Sequence, residues 1–154
     1  MNAHLRFSPT ILAVILLSFS ACKEEKAASD AGPLGTKISI ENAKADVQLD
    51  KLKLPEGFKI DVWAAEVPNA RSLAISESGI VFVGNRQENN VYALVDENGD
   101  GKADSKYVLA NDLRMPNGVA IKDGDLYVAE VSRILRFKDI ENNLTKPSYE
   151  VVYD

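Results

Sequence analysis

Residues 96–104 read Asp-Glu-Asn-Gly-Asp-Gly-Lys-Ala-Asp and set oxygen donors at positions 1, 3, 5 and 9 of a loop, with Gly101 at position 6. Hard cations take oxygen ligands at this spacing, and the glycine permits the sharp turn, as in the first part of an EF-hand loop. Asp96, Asn98, Asp100 and Asp104 would offer side-chain oxygens to Ca2+, and Lys102 its backbone carbonyl. Position 12 is Tyr107 rather than a bidentate Glu, and the flanking residues have strand character. A hairpin turn rich in Asn and Gly, needing no metal, fits the same residues equally well.

A second set is polar and recurs. Polar groups recur at matching strand junctions of a repeated pattern: Asn69, Arg71 and Arg86 in the first copy, and Asn117, Glu130 and Arg133 in the second. Guanidinium forks suit carboxylates, and amides suit carbonyl oxygens, so the six could line a site for a polar ligand. The plainer alternative is the solvated rim of a fold whose loops are polar anyway. The sequence has one His, His4, and one Cys, Cys22. A lone Cys makes no intramolecular disulfide. A histidine general base is absent from everything after residue 4.

The elements that must hold these residues are short strands. From residue 54 on, β-rich runs alternate with turn residues: 58–64, 73–75, 80–83, 91–95, 106–109, 119–121, 126–128, 134–137 and 150–153. Many short strands with regular turns mean an all-β sandwich, barrel or propeller. Repetition favours the propeller. Pro68-Asn69, Leu73-Ala74-Ile75, Gly79 to Val83 and Val91-Tyr92 return as Pro116-Asn117, Val119-Ala120-Ile121, Gly124 to Val128 and Ile134-Leu135, at offsets of 48, 46, 45 and 43 residues. A period in the mid-forties suits a four-stranded blade. The expected fold is all-β, about two four-stranded blades of an incomplete β-propeller; two similar hairpins in a sandwich are the alternative. Closed propellers have about 4 to 8 blades. Two blades therefore read as the opening of a longer propeller, or as a unit that assembles with copies of itself.

Several strings carry a family resemblance over residues 52–154: Leu54-Pro55-Glu56-Gly57-Phe58, Pro68-Asn69-Ala70-Arg71, Val83-Gly84-Asn85-Arg86, the acidic loop, Met115-Pro116-Asn117-Gly118 and Leu126-Tyr127-Val128-Ala129-Glu130. Together they resemble the N-terminal part of the soluble PQQ-dependent sugar dehydrogenases, the glucose/sorbosone dehydrogenase group. The resemblance implies a six-bladed propeller that oxidises an aldose or aldehyde hydrate by hydride transfer to pyrroloquinoline quinone, with calcium polarising the quinone and a His as base. It implies that Asn69, Arg71, Arg86, Asn117, Glu130 and Arg133 stand near the quinone. The family's base would fall beyond Asp154, so this chain alone is expected to be inactive. A non-catalytic propeller that binds a ligand or protein partner is the alternative.

The N-terminus addresses the chain. Arg6 precedes a ten-residue apolar run, residues 10–19, about half the ~20 residues of a spanning helix. Ser20-Ala21-Cys22 then resembles a bacterial lipobox, with Phe19 where Leu is usual. Lipidation of Cys22 would anchor the chain, since each buried CH2 contributes about 0.8 kcal/mol. Lys23 after the Cys points to the outer membrane, facing the periplasm or surface. The expected organisation is a signal peptide over 1–21, lipidated Cys22 and a flexible tether over 22–51, and propeller blades over 52–154. The formal net charge of −5 is without a Lys/Arg cluster, which argues against nucleic acid as a partner.

Overall fold

The computed structural model describes residues 32–41 and 47–154. The expected signal peptide over 1–21, Cys22, and residues 23–31 and 42–46 of the expected tether lie outside the described residues. Runs such as Val81-Phe82-Val83 place successive side chains on opposite faces of a strand. Both faces of this strand are covered, so both are apolar.

Nine strands are described: β1 (Lys37–Ser39), β2 (Ala70–Ile75), β3 (Val81–Asn85), β4 (Val91–Val95), β5 (Ser105–Ala110), β6 (Gly118–Lys122), β7 (Asp125–Ala129), β8 (Ile134–Phe137) and β9 (Glu150–Tyr153). They form two antiparallel sheets, β1-β5-β4-β3-β2 and β6-β7-β8-β9, neither of them closed. The second sheet and strands β2 to β5 of the first are blade-like meanders, and the fold is all-β and propeller-like. Gly79 and Gly124, at φ +90 and +81, turn the two equivalent hairpins where a Cβ would be strained.

Two differences from the sequence reading are local. Residues 37–39, expected in the flexible tether, form β1: Lys37 pairs with Tyr107 and Ser39 with Ser105. The first sheet therefore has five strands rather than four. Residues 58–64 alternate like a strand but form no ladder. Phe58 is 69% exposed there, so the alternation has no face to serve.

The main core lies between the sheets. Phe82, Val91, Ala93 and Leu109 of the first sheet pack with Leu126, Val128, Leu135 and Phe137 of the second. Full burial of each large apolar side chain contributes about 1.5–3 kcal/mol. A smaller cluster covers the other face of the first sheet, where Trp63, Ala64 and Val67 pack against Val83, Tyr92 and Leu94. The sheets approach closely at Gly84: a Cβ there would lie 2.5 Å from the Pro116 carbonyl oxygen and 2.7 Å from that of Asn117.

Candidate functional site

Strand pairing decides which polar residues can meet. β2 begins where β3 ends, with Ala70 opposite Asn85, and β6 begins where β7 ends, with Gly118 opposite Ala129. The Ser72 hydroxyl donates to Asn117 Oδ1 at 3.3 Å, joining these two ends across the sheets. All six recurring polar residues therefore stand at the same end of the molecule.

Three of them share one hollow. Asn69, Arg71 and Arg86, with Ala70 and Gln87, line a cavity of about 260 Å3. Both arginines are exposed. Asn69 takes the left-handed conformation, φ 54, and its amide Nδ2 donates to Glu88 Oε1 at 2.6 Å. The arrangement presents two fixed positive charges to an anion, with one polarised amide beside them.

The other three serve partners within the chain. The Glu130 side chain is 1% exposed and pairs with Arg133 Nη2 at 2.5 Å, while its Oε1 accepts the Arg114 N–H at 2.6 Å. The Glu130 N–H donates to the Arg133 carbonyl at 2.9 Å. Glu130 thus fixes the turn that carries Arg133. Neither residue lines the arginine hollow. Asn117 bridges the two sheets through Ser72.

The acidic loop closes on itself. Asp96 accepts the Gly99 N–H on Oδ1 (2.7 Å) and the Gly101 N–H on Oδ2 (2.9 Å). Asn98 Oδ1 accepts the Asp100 N–H, and Asp100 Oδ1 the Lys102 N–H. Asp104 accepts the Glu97 N–H and the Asn98 amide. A carboxylate oxygen accepting one N–H keeps further lone-pair capacity, so the oxygen donor set still suits a hard cation. Among the described residues no three His, Cys, Asp or Glu side chains gather as a metal set. A cation here would rely on the Asn98 amide and the Lys102 carbonyl as well as the carboxylates. Beside the loop, the Lys37 ammonium, then the Ser105 hydroxyl, holds the Glu97 carboxyl below its usual range.

Some groups of interest were hidden in the sequence. Lys106 on β5 is 9% exposed; its Nζ donates to the Glu66 carbonyl at 2.6 Å and lies 5.2 Å from the Tyr92 ring centroid. It lines a cavity of about 500 Å3 with Glu66, Glu88, Asn90 and Tyr92. Asn85 and Asn90 are fully buried at the β3–β4 turn, where the Asn90 N–H donates to Asn85 Oδ1 at 3.4 Å. A lysine at the head of the short run 106–109 gives no sequence signal that it turns inward. The one clue at the turn is that Asn85 occupies the repeat position of Glu130.

Residues 44–154 match the family described as "Domain of unknown function (DUF7133)". An uncharacterized protein of Borreliella burgdorferi (strain ATCC 35210 / DSM 4680 / CIP 102532 / B31) is 24% identical over 110 residues, which are 71% of this chain and 27% of that protein. The chain thus spans about a quarter of the length of this curated relative.

Proposed function

The chain belongs to the DUF7133 domain family, and we propose that its two blades are the opening part of a membrane-anchored, PQQ-dependent sugar or aldehyde dehydrogenase of the sorbosone type. The observation that carries this reading is the hollow shared by Asn69, Arg71 and Arg86. A tricarboxylate quinone needs guanidinium forks, and two stand here at one end of the first blade, where β2 begins and β3 ends. At about 260 Å3 the hollow is below the roughly 300–1,000 Å3 of whole-ligand sites, so it suits one carboxylate-bearing edge.

Bound quinone would supply the hydride acceptor. The residues of this chain bind and orient: Arg71 and Arg86 hold carboxylate oxygens, and the Asn69 amide fixes the rim through Glu88. Removal of the substrate hydroxyl proton needs a base, and the only His here is His4. The two blades therefore position a ligand without completing the chemistry. Loop 96–104 is proposed as a calcium-stabilised outer hairpin held by Asp96, Asn98, Asp100, the Lys102 carbonyl and Asp104. Lipid on Cys22 would anchor the blades to the bacterial outer membrane.

Titration of PQQ against the chain from residue 22 on, carrying Cys22→Ser, tests the reading. Saturable binding weakened about tenfold or more by Arg71→Ala with Arg86→Ala is expected, since charge-assisted hydrogen bonds contribute roughly 1.5–3 kcal/mol each. Equal binding by the double variant would refute the site. With quinone and calcium added, no aldose-dependent dye reduction is expected. A second reading, a non-catalytic propeller that binds a ligand or partner, is favoured by the engagement of Glu130 with Arg133; retained binding of simple tricarboxylates without any preference for the quinone would point to it.

A further inference from the structure

The turn between β3 and β4 in the first blade differs from its repeat in the second. Aligned on the repeat, Asn85 and Asn90 stand where the second blade has Glu130 and Arg133. There the two side chains pair with each other. In the first blade both asparagines are fully buried, and Asn90 Nδ2 donates to the Tyr92 hydroxyl at 2.9 Å. Among the described residues, Asn85 Nδ2 and Asn90 Oδ1 have no hydrogen-bond partner. A buried polar atom left in that state is destabilising, and a water or a ligand completes such a set.

Asn90 stands in the wall of the cavity of about 500 Å3, with Ile38, Glu66, Glu88, Tyr92 and Lys106. That volume is within the roughly 300–1,000 Å3 of small-molecule sites. All six residues belong to the first sheet or to the segments joining its strands, so the cavity is built without the second blade. Its wall holds both signs of charge. The Lys106 ammonium, which donates to the Glu66 carbonyl, turns away cations. The Glu66 and Glu88 carboxylates turn away anions. Opposed repulsions of this kind select a neutral ligand. What the wall offers such a ligand is chiefly acceptors: Asn90 Oδ1, and carboxylates that accept several hydrogen bonds each. Glu88 Oε1 accepts the Asn69 amide, which leaves the carboxylate further capacity. Ile38 and Tyr92 add carbon surface.

We propose that this cavity binds a small neutral polyhydroxylated compound, a monosaccharide or sugar alcohol, whose hydroxyl hydrogens satisfy Asn90 Oδ1 and the two carboxylates. Hydroxyl groups suit the wall because each donates without carrying charge. Amines and phosphate each bring a charge that a wall residue opposes. The site is separate from the hollow of Asn69, Arg71 and Arg86, and Glu88 stands between the two, bonded to Asn69 of one and lining the other. The inference goes beyond the dehydrogenase reading. It concerns the holding of a polyol and not its oxidation, so a failure to bind quinone leaves it standing.

Solution NMR tests it, with the isotope-labelled chain from residue 22 on, carrying Cys22→Ser, titrated with sorbitol. Sorbitol has no anomeric carbon, so it is no substrate for the proposed oxidation. Saturable shifts are expected at the Asn90 side-chain amide and at the Tyr92 and Lys106 backbone amides, half-complete at about millimolar sorbitol. The signals of β9 should stay in place. Tetramethylammonium and inorganic phosphate should move none of these signals. Glu66→Gly removes one carboxylate at an exposed, left-handed position that glycine suits. It should keep the parent circular dichroism spectrum and weaken sorbitol binding about threefold or more. Asn90→Leu should abolish the shifts at Tyr92 and Lys106. Asn90 signals indifferent to sorbitol would overturn the inference and leave an ordered water as the occupant of the turn. Glycine as effective as sorbitol would overturn the ligand class, and unchanged binding by Glu66→Gly would overturn the assigned contacts.

Discussion

Gly84→Ala is the smallest change that tests how the sheets meet. The added methyl would stand 2.5 Å and 2.7 Å from two backbone carbonyl oxygens, those of Pro116 and Asn117, and 3.0 Å from a Val119 methyl. Backbone cannot swing aside as a flexible side chain can, so β3 and the start of β6 must move apart. Overpacking of this kind costs about 1–3 kcal/mol. The same substitution removes unfolded-state entropy and by itself stabilises by about 0.4–1 kcal/mol. The clash wins, with a net loss of about 1–2 kcal/mol. For a domain of this size, roughly 4 °C of Tm per kcal/mol gives a fall of about 4–8 °C. Thermal unfolding followed by circular dichroism measures it, with Leu73→Ala as the control, an exposed position where the change should stay within about 0.5 kcal/mol. An unchanged or raised Tm for Gly84→Ala would mean that nothing stands opposite Gly84, and the side-by-side arrangement would be wrong.

Acid should unfold the second sheet through Asp125, whose carboxyl is held below its usual 3.8 by the Asp139 N–H and then by Arg136. A depressed carboxyl contributes stability above its unfolded value, about 3.9, and loses it as pH falls through the folded value. The urea midpoint should therefore drop below about pH 4, and Asp125→Asn should lower it at neutral pH while flattening that drop; parallel pH profiles would exclude Asp125 as the cause. If loop 96–104 binds calcium, millimolar CaCl2 should raise Tm, EGTA should reverse the rise, and Asp100→Ala should abolish it. A Tm indifferent to both reagents would leave the loop as a turn closed by its own hydrogen bonds.

The sequence revealed the strands where local pattern and turn chemistry agree. Residues 91–95, 134–137 and 150–153 are strands with the expected limits, because β-branched and aromatic runs end there at polar turns. β1 was invisible, since three residues carry no period and its partner, β5, lies far along the chain. Residues 58–64 failed in the opposite way: Phe58, Ile60 and Val62 alternate correctly, but they join no ladder among the described residues. The placement of the candidate site residues was legible in part. Repetition alone placed Asn69, Arg71 and Arg86 at one junction, and they share a hollow. It did not show that Glu130 and Arg133 face each other, because a spacing of three across a turn fits either a ligand or an ion pair. Lys106 was missed because its burial depends on Glu66 and Tyr92, distant in sequence, converging on it.

Everything said of the rim depends on β2 lying beside β6, with the starts of both strands at one end. Ser72 and Asn117, whose side chains are 3.3 Å apart, mark that contact. With Cys22→Ser removing the only native thiol, Ser72→Cys and Asn117→Cys should form an intramolecular disulfide in most molecules under mild oxidation, read by mass spectrometry of the tryptic peptides. A folded double variant that stays reduced, or that links only between molecules, would contradict the two-blade arrangement.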